Sequence, residues 1–195
     1  GTILLTETVQ MNRNRNPNWT RAEIEAEFHA KLGTTKAIWL PRGLKSDEDE
    51  AGTDGHVDTL AVFVKPGLVL VHGQPDPNHP DHQTARDIEA VLRNATDAKG
   101  RKLEVIVVDA PSNALIDGIP QSYTYINFSF VNGGVVLCGF DDPQDAVTEA
   151  LFRRLFNDRK VVMVRAVDIF AGGGGVHCIT QQQPKSQSSR GSTDA

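Results

Sequence analysis

Cysteine is scarce in this sequence: Cys138 and Cys178 are the only two among 195 residues. Two thiols exclude a multi-bridge disulfide framework and suit a reducing compartment, which points to the cytoplasm. Long apolar runs are also missing. None approaches the ~20 residues that span a bilayer, and the opening Gly-Thr-Ile-Leu-Leu-Thr-Glu shows no basic n-region of a secretory signal. A membrane role therefore has no support. Positive charge is in deficit, with 20 Lys and Arg against 25 Asp and Glu for a net charge of -5. No basic stripe interleaved with aromatics occurs, which argues against nucleic acid. What is there, 39% hydrophobic and 23% charged residues, is enough for one sizeable globular domain with its own core.

Taken in order, Thr2 to Val9 reads as a strand and Asn12 to Pro17 as a polar loop. Thr20 and Glu23 have capping-box spacing, Ile24, Phe28 and Leu32 form one helical stripe, and Gly33 is the stop. Lys36 to Leu40 returns as a strand. Thr59 to Val64 and Leu68 to His72 form a hairpin about Pro66-Gly67, followed by a helix within Gln83 to Ala95 and a strand from Leu103 to Val108. The same order recurs: Tyr123 to Val131 and Val135 to Phe140 about Asn132-Gly133-Gly134, a helix from Asp142-Pro143 through Phe156, and a strand from Lys160 to Arg165. The fold class is therefore α/β, built on a strand-strand-helix-strand module repeated at an offset of about 67 residues. Such modules bury their faces against neighbours. Both ends of the chain read as incomplete modules, so the expectation is a piece of something longer that is unstable or associates when alone, which leaves a homo-oligomer open. Residues 1 to 183 are expected to be the folded part, and 184 to 195 a disordered polar tail.

Chemistry concentrates at Ala171 to Gln183, where four consecutive glycines precede Val176-His177-Cys178. Glycines remove side chains from one side of Cys178 and let a ligand approach the backbone, which a packing cysteine does not need. If Val176 to Thr180 is a strand, His177 points away from Cys178 and cannot be its base. The better partner is His56, with Asp58 two residues on. A cysteine with a distant histidine is a nucleophile and acid/base pattern, although a buried structural cysteine with a surface histidine fits the spacing too. Cys138, within an apolar strand, reads as core. The acidic segment with Asp47, Glu48, Asp49, Glu50 and Asp54 reads as a solvated loop, or as a field that draws a cationic substrate toward His56. His72, His79, Asp81 and His82 are weakly spaced for a metal, and His79-Pro-Asp-His82 reads as solvated loop. The glycine run lacks the Lys-Ser/Thr ending of a phosphate loop. No metal or other cofactor is implied.

Four segments together carry a likeness: Ile38-Trp-Leu-Pro-Arg-Gly43, Thr53-Asp-Gly-His-Val-Asp58, Asn132-Gly133-Gly134, and the glycine run through Pro184. In this order they resemble the agmatine deiminases, grouped with the Porphyromonas-type peptidylarginine deiminases. The resemblance implies part of a five-bladed α/β propeller, the pentein fold, and a further N-terminal portion whose Trp-Arg-Asp motif grips the guanidinium. It implies Cys178 as nucleophile, His56 as acid and base, and Asp58 as the carboxylate that binds the substrate, with Asp54, Gly174 and Gly175 beside it. The implied substrate is a small guanidine, agmatine, hydrolysed to N-carbamoylputrescine and ammonia; peptidylarginine and an inert half-propeller are the rivals. Two positions depart from the family's pattern, Val176 where Asn is common and Thr59 where Asn is frequent after the His-x-Asp pair.

Overall fold

In the computed structural model, residues 1–48, 52–116 and 119–183 are described. Strand β1 (Thr2–Thr6) is followed by a single helical turn, α1 (Glu7–Gln10), helix α2 (Arg21–Leu32) and strand β2 (Lys36–Leu40). The expected strand to Val9 stops at Thr6, because its partner β2 runs only to Leu40 and the next residue, Pro41, has no N–H for a ladder. Helix α2 has the expected capping box, with Thr20 and Glu23 each closing on the other's backbone and Gly33 taking the left-handed conformation at the C-terminus.

Two three-stranded sheets follow. In the first, β3 (Ala61–Lys65) pairs antiparallel with β4 (Leu68–Gly73), helix α3 (His82–Asn94) crosses over, and β5 (Glu104–Asp109) pairs parallel with β4. A small hairpin, β6 (Leu115–Ile116) and β7 (Ile119–Pro120), leads to the second sheet. There β8 (Ser129–Val131) pairs antiparallel with β9 (Gly134–Gly139), helix α4 (Gln144–Leu155) crosses over, and β10 (Lys160–Arg165) pairs parallel with β9. Helix α5 (Val167–Ala171) then delivers the chain to the glycine run. The two sheets share strand order and pairing, and β1 and β2 form a parallel pair around α2 in the same sense.

The aromatic residues gather in the second half, where Phe128 meets Phe152 edge to face, Phe156 packs tilted against both, and Tyr123 stacks on Phe140. The expected strand from Tyr123 shrinks to Ser129–Val131. Residues 123–128 are all buried but find other hydrogen bonds: Tyr125 Oη donates to Asp145 at 2.6 Å, His72 Nδ1 lies 3.0 Å from Thr124 Oγ1, and the Asn127 carbonyl accepts from the Cys138 thiol. Of these only the Asn127 carbonyl, which also accepts from His177 N–H, is a backbone group satisfied outside a ladder.

Two solvated loops of the sequence reading are also corrected. Asp47 is buried rather than solvated, while Asp49 and Glu50 lie outside the described residues. His72, His79 and Asp81 are buried; His79 Nδ1 accepts from the Asp81 N–H, and Asp81 Oδ1 accepts from Lys45 N–H at 2.6 Å. Burial pushes the Asp81 carboxyl up, and burial with the nearby His79 holds His72 down to about 4, so His72 is neutral at physiological pH. Asp81 ties the start of α3 to the Lys45–Asp47 turn, while His72 bonds to Thr124.

Candidate active site

His56 and Asp58 are placed by a buried carboxylate. Asp47 Oδ1 accepts from Thr53 N–H at 2.8 Å, and Oδ2 accepts from Thr53 Oγ1, Gly55 N–H and His56 N–H at 2.7, 3.0 and 3.3 Å. The loop before the site is thereby wrapped around one acidic side chain. Gly55 sits at φ +97°, and Gly43 packs directly on its backbone, so the glycine that ends the Ile38 to Gly43 segment is a steric requirement. His56 then caps the short 3-10 turn Val57–Thr59 that carries Asp58. Asp54, expected beside the substrate, instead takes a positive φ of 66° and turns its carboxylate to the Asn12 amide at 3.0 Å and toward Arg15.

Cys178 does not lie on a strand. Residues 176–179 form a turn in which Thr180 N–H donates to His177 O, while His177 N–H donates to the backbone and side-chain oxygens of Asn127 at 3.2 and 3.0 Å. Those bonds outcompete a ladder. In a turn, neighbouring side chains need not oppose, and His177 and Cys178 both reach Asp58. His177 Nδ1 is 2.7 Å from Asp58 Oδ2, and the Cys178 thiol is 3.5 Å from the same oxygen. The expected strand over Val176 to Thr180, which would have set His177 and Cys178 on opposite faces, is therefore overturned. Asp58 Oδ1 is buried with no hydrogen-bond partner among the described residues.

A cavity of about 220 Å³ is lined by His56, Asp58 and His177, with Thr6, Val9 and Gln10 on its remaining wall. Burial opposes ionisation of Asp58, but the hydrogen bond and charge of His177, aided by Cys178 and His56, hold its carboxyl below the usual range. The Asp58 hydrogen bond outweighs burial and raises His177. The Cys178 thiol is pushed up, by burial first and then by the Asp58 charge, against a lowering hydrogen bond from Gly175 N–H. The site thus holds an ionised carboxylate, a histidine charged to higher pH than usual, and a thiol that ionises reluctantly. Cys138, by contrast, is fully buried and pushed up to about 12.

Gly174 and Gly175 act by close approach. A Cβ on Gly174 would sit 3.0 Å from Cys178 Sγ, and one on Gly175 would strike Asn127 Oδ1 and come within 2.7 Å of the Phe170 ring. Gly175→Ala is expected to destabilise the chain by about 1–3 kcal/mol, read as a lowered denaturation midpoint, and to loosen the turn that holds Cys178. Asn127, His177 and Asp47 were not singled out as site residues from the sequence. Asn127 was detectable as an amide embedded in the run Tyr-Ile-Asn-Phe, but nothing in the sequence linked it to Cys178.

Comparison with known proteins places this arrangement. A family model of Porphyromonas-type peptidyl-arginine deiminases matches residues 1–184. The chain belongs to this family. It is 57% identical over 187 residues to a Streptomyces avermitilis protein named "Putative agmatine deiminase", covering 95% of this chain and 54% of that one. It is 41% identical to the agmatine deiminase of Ectopseudomonas mendocina, covering 96% and 55%. The solved agmatine deiminase of Enterococcus faecalis superposes with a TM-score of 0.88 at 33% identity, covering 95% of this chain and 54% of that chain. The chain thus spans about half the length of the curated relatives it matches. Among the described residues no helix is long and apolar enough to cross a membrane, and no three His, Cys, Asp or Glu side chains group as metal ligands.

Proposed function

We propose that this chain carries the cysteine-bearing part of an agmatine deiminase site, within part of a five-bladed α/β propeller of repeated modules. The observation that carries this reading is a thiol 3.5 Å from a carboxylate whose second oxygen is buried and unpartnered, beside a cavity that His56 also lines. A guanidinium is a planar cation with a poorly electrophilic carbon, so it needs a carboxylate to orient it, a thiolate to attack it and an acid for the departing nitrogen.

Asp58 offers Oδ1 to one guanidinium N–H and shares Oδ2, now held by His177, with a second. The bound cation offsets the carboxylate charge that pushes the thiol up, so substrate binding itself favours the Cys178 thiolate. Sulfur bonds to the guanidinium carbon, and the C–N bond breaks as His56 protonates the departing ammonia. His56 then takes a proton from water, the hydroxide adds to the thiouronium carbon, and sulfur leaves as thiolate while the added hydroxyl gives its proton to the released ammonia, so that the products are the N-carbamoyl compound and ammonium. No cofactor enters these steps. We place the reaction in the cytoplasm, on a route to putrescine and the polyamines, with a second copy of the chain as the partner this reading allows.

The test is ammonia release from agmatine and from an arginine peptide. It is run on this chain and on a fusion to the N-terminal part of the Streptomyces avermitilis protein, each with a Cys178→Ala control. Release from agmatine, lost in the control by at least about 10⁴-fold, is the expected result. Release from the peptide alone would move the substrate class to peptidylarginine, and release from neither by any form would leave a non-catalytic half-propeller.

A further inference from the structure

Thr6 ends β1 and stands immediately before α1, where a threonine hydroxyl ordinarily accepts from the second or third N–H of the helix. Its side chain makes no such bond. The residue is only 2% exposed, and its Oγ1 has no hydrogen-bond partner among the described residues. A buried hydroxyl in this condition costs stability and calls for a reason. Asp58 Oδ1 is in the same condition, and both residues line the cavity of about 220 Å³ beside His56. Ties between their elements hold them there. Thr8 Oγ1 donates to the Asp54 carbonyl at 2.5 Å, and Asn12 Nδ2 donates to the Asp54 carboxylate at 3.0 Å. The start of α1 is thereby fastened to the loop that carries His56 and Asp58.

The chemistry of the two atoms limits what can satisfy both. An ionised carboxylate only accepts, whereas the Thr6 hydroxyl accepts or donates. Val9 and Val57 give the same cavity apolar surface and no partner for either. One turn about the Thr6 Cα–Cβ bond exchanges hydroxyl and methyl, branches of similar size, so the hydroxyl can be presented to a ligand without movement of the backbone. A guanidinium bears N–H donors on all three nitrogens, more than one carboxylate takes up. We propose that Thr6 is a specificity-determining residue of this site: its hydroxyl accepts an N–H of the bound guanidinium beside those taken by Asp58. A cavity that hydrogen-bonds this third donor discriminates against cations that lack it. The assignment rests on the guanidine reading above and adds to it a residue of β1, a strand that reading does not use.

The experiment pairs two measurements on Cys178→Ala forms of this chain and of the fusion described above. Calorimetry reads the binding of agmatine and of an arginine peptide, and denaturant unfolding without ligand reads stability. Thr6→Val puts a methyl group where the hydroxyl was. It is expected to bind agmatine about tenfold more weakly and to unfold at a higher midpoint, because an apolar group replaces a buried polar one without a partner. Thr6→Ser keeps the hydroxyl and loses the methyl, so it is expected to recover most of the affinity and to unfold at a lower midpoint. Affinity and stability thus move in opposite directions, which a merely structural threonine would not produce. A valine variant that binds agmatine as tightly as the parent would overturn the proposal. So would one that loses stability along with affinity, since the hydroxyl would then be held by protein and not by ligand. The crossed pattern without ammonia release from the Cys178 form of the fusion would count against the reaction and leave Thr6 in place. The same pattern with the peptide alone would support Thr6 and move the substrate class to peptidylarginine. Binding of neither guanidine by the parent would overturn the assignment together with the reading beneath it.

Discussion

Asp58→Asn is expected to lower ammonia release from agmatine by about 10³-fold while making Cys178 label faster with a neutral haloacetamide at neutral pH. The two effects have one origin and opposite signs. In the proposed reaction Asp58 is the anionic group that both the cation and the thiol meet, so its removal takes away the charge proposed to bind a guanidinium. It also removes one of the forces that push the thiol up, second to burial. Loss of turnover together with slower labelling would instead show that Asp58 only holds the turn in place. The same substitution is expected to return His177 toward its ordinary titration, measured by NMR of the imidazole, because the Asp58 hydrogen bond is the first cause of its raised value. The sign of the pH dependence follows from the pair. The depressed Asp58 stabilises the folded state above the ordinary carboxylate range and loses that contribution as pH falls through its lowered value. The raised His177 contributes below the ordinary imidazole range and loses its part as pH rises through its raised value. The pair is therefore complete across the interval between, which includes neutrality. Because His177 is substantially exposed, its effect on stability is small beside its effect on the site.

Asp47→Ala is the second large effect, at a residue that touches no substrate. The carboxylate accepts from Thr53 N–H and Oγ1, Gly55 N–H and His56 N–H. Its truncation leaves four donors without their partner, some of them buried. We expect a loss of about 3 kcal/mol in unfolding free energy and a further loss of about 10²-fold in turnover, since His56 would no longer be held relative to Asp58. Asp47→Asn, which keeps one acceptor oxygen, should fall between the parent and the alanine variant in both. Denaturant unfolding and ammonia release measure the two separately. Wild-type turnover in a destabilised Asp47→Ala chain would show that the clamp supports the fold but does not place His56.

Much of this molecule was legible before its coordinates. Helix α2 was bounded by a capping box and a terminal glycine, features that act within one turn of chain, and it appears at Arg21–Leu32. Strands Lys36–Leu40 and Lys160–Arg165 keep the bounds expected from their β-branched and apolar content. The failures share a cause. Thr2 to Val9, Tyr123 to Val131 and Val176 to Thr180 all had strand composition, yet each lost part or all of its ladder. One strand's partner ended at a proline, and in the other two segments the Asn127 carbonyl and His177 N–H bond to each other and to distant side chains instead of to a ladder strand. The same holds for Asp47, whose acidic surroundings suggested solvent, and for His79 and Asp81, whose Pro-rich context suggested an exposed loop.

Residue chemistry and local spacing alone singled out the candidate groups: a cysteine beside a glycine run and a His-x-Asp pair. These depend on side-chain type and on contacts within a few residues. Only the tertiary structure decided how the groups meet, because that depends on chain segments 119 or 120 residues apart sharing a single oxygen of Asp58. It brought His177 into the site by bending a presumed strand into a turn. It also put Asn127 under the sulfur and sent Asp54 away from the cavity, outcomes set by which buried donors lacked acceptors once the two sheets had packed.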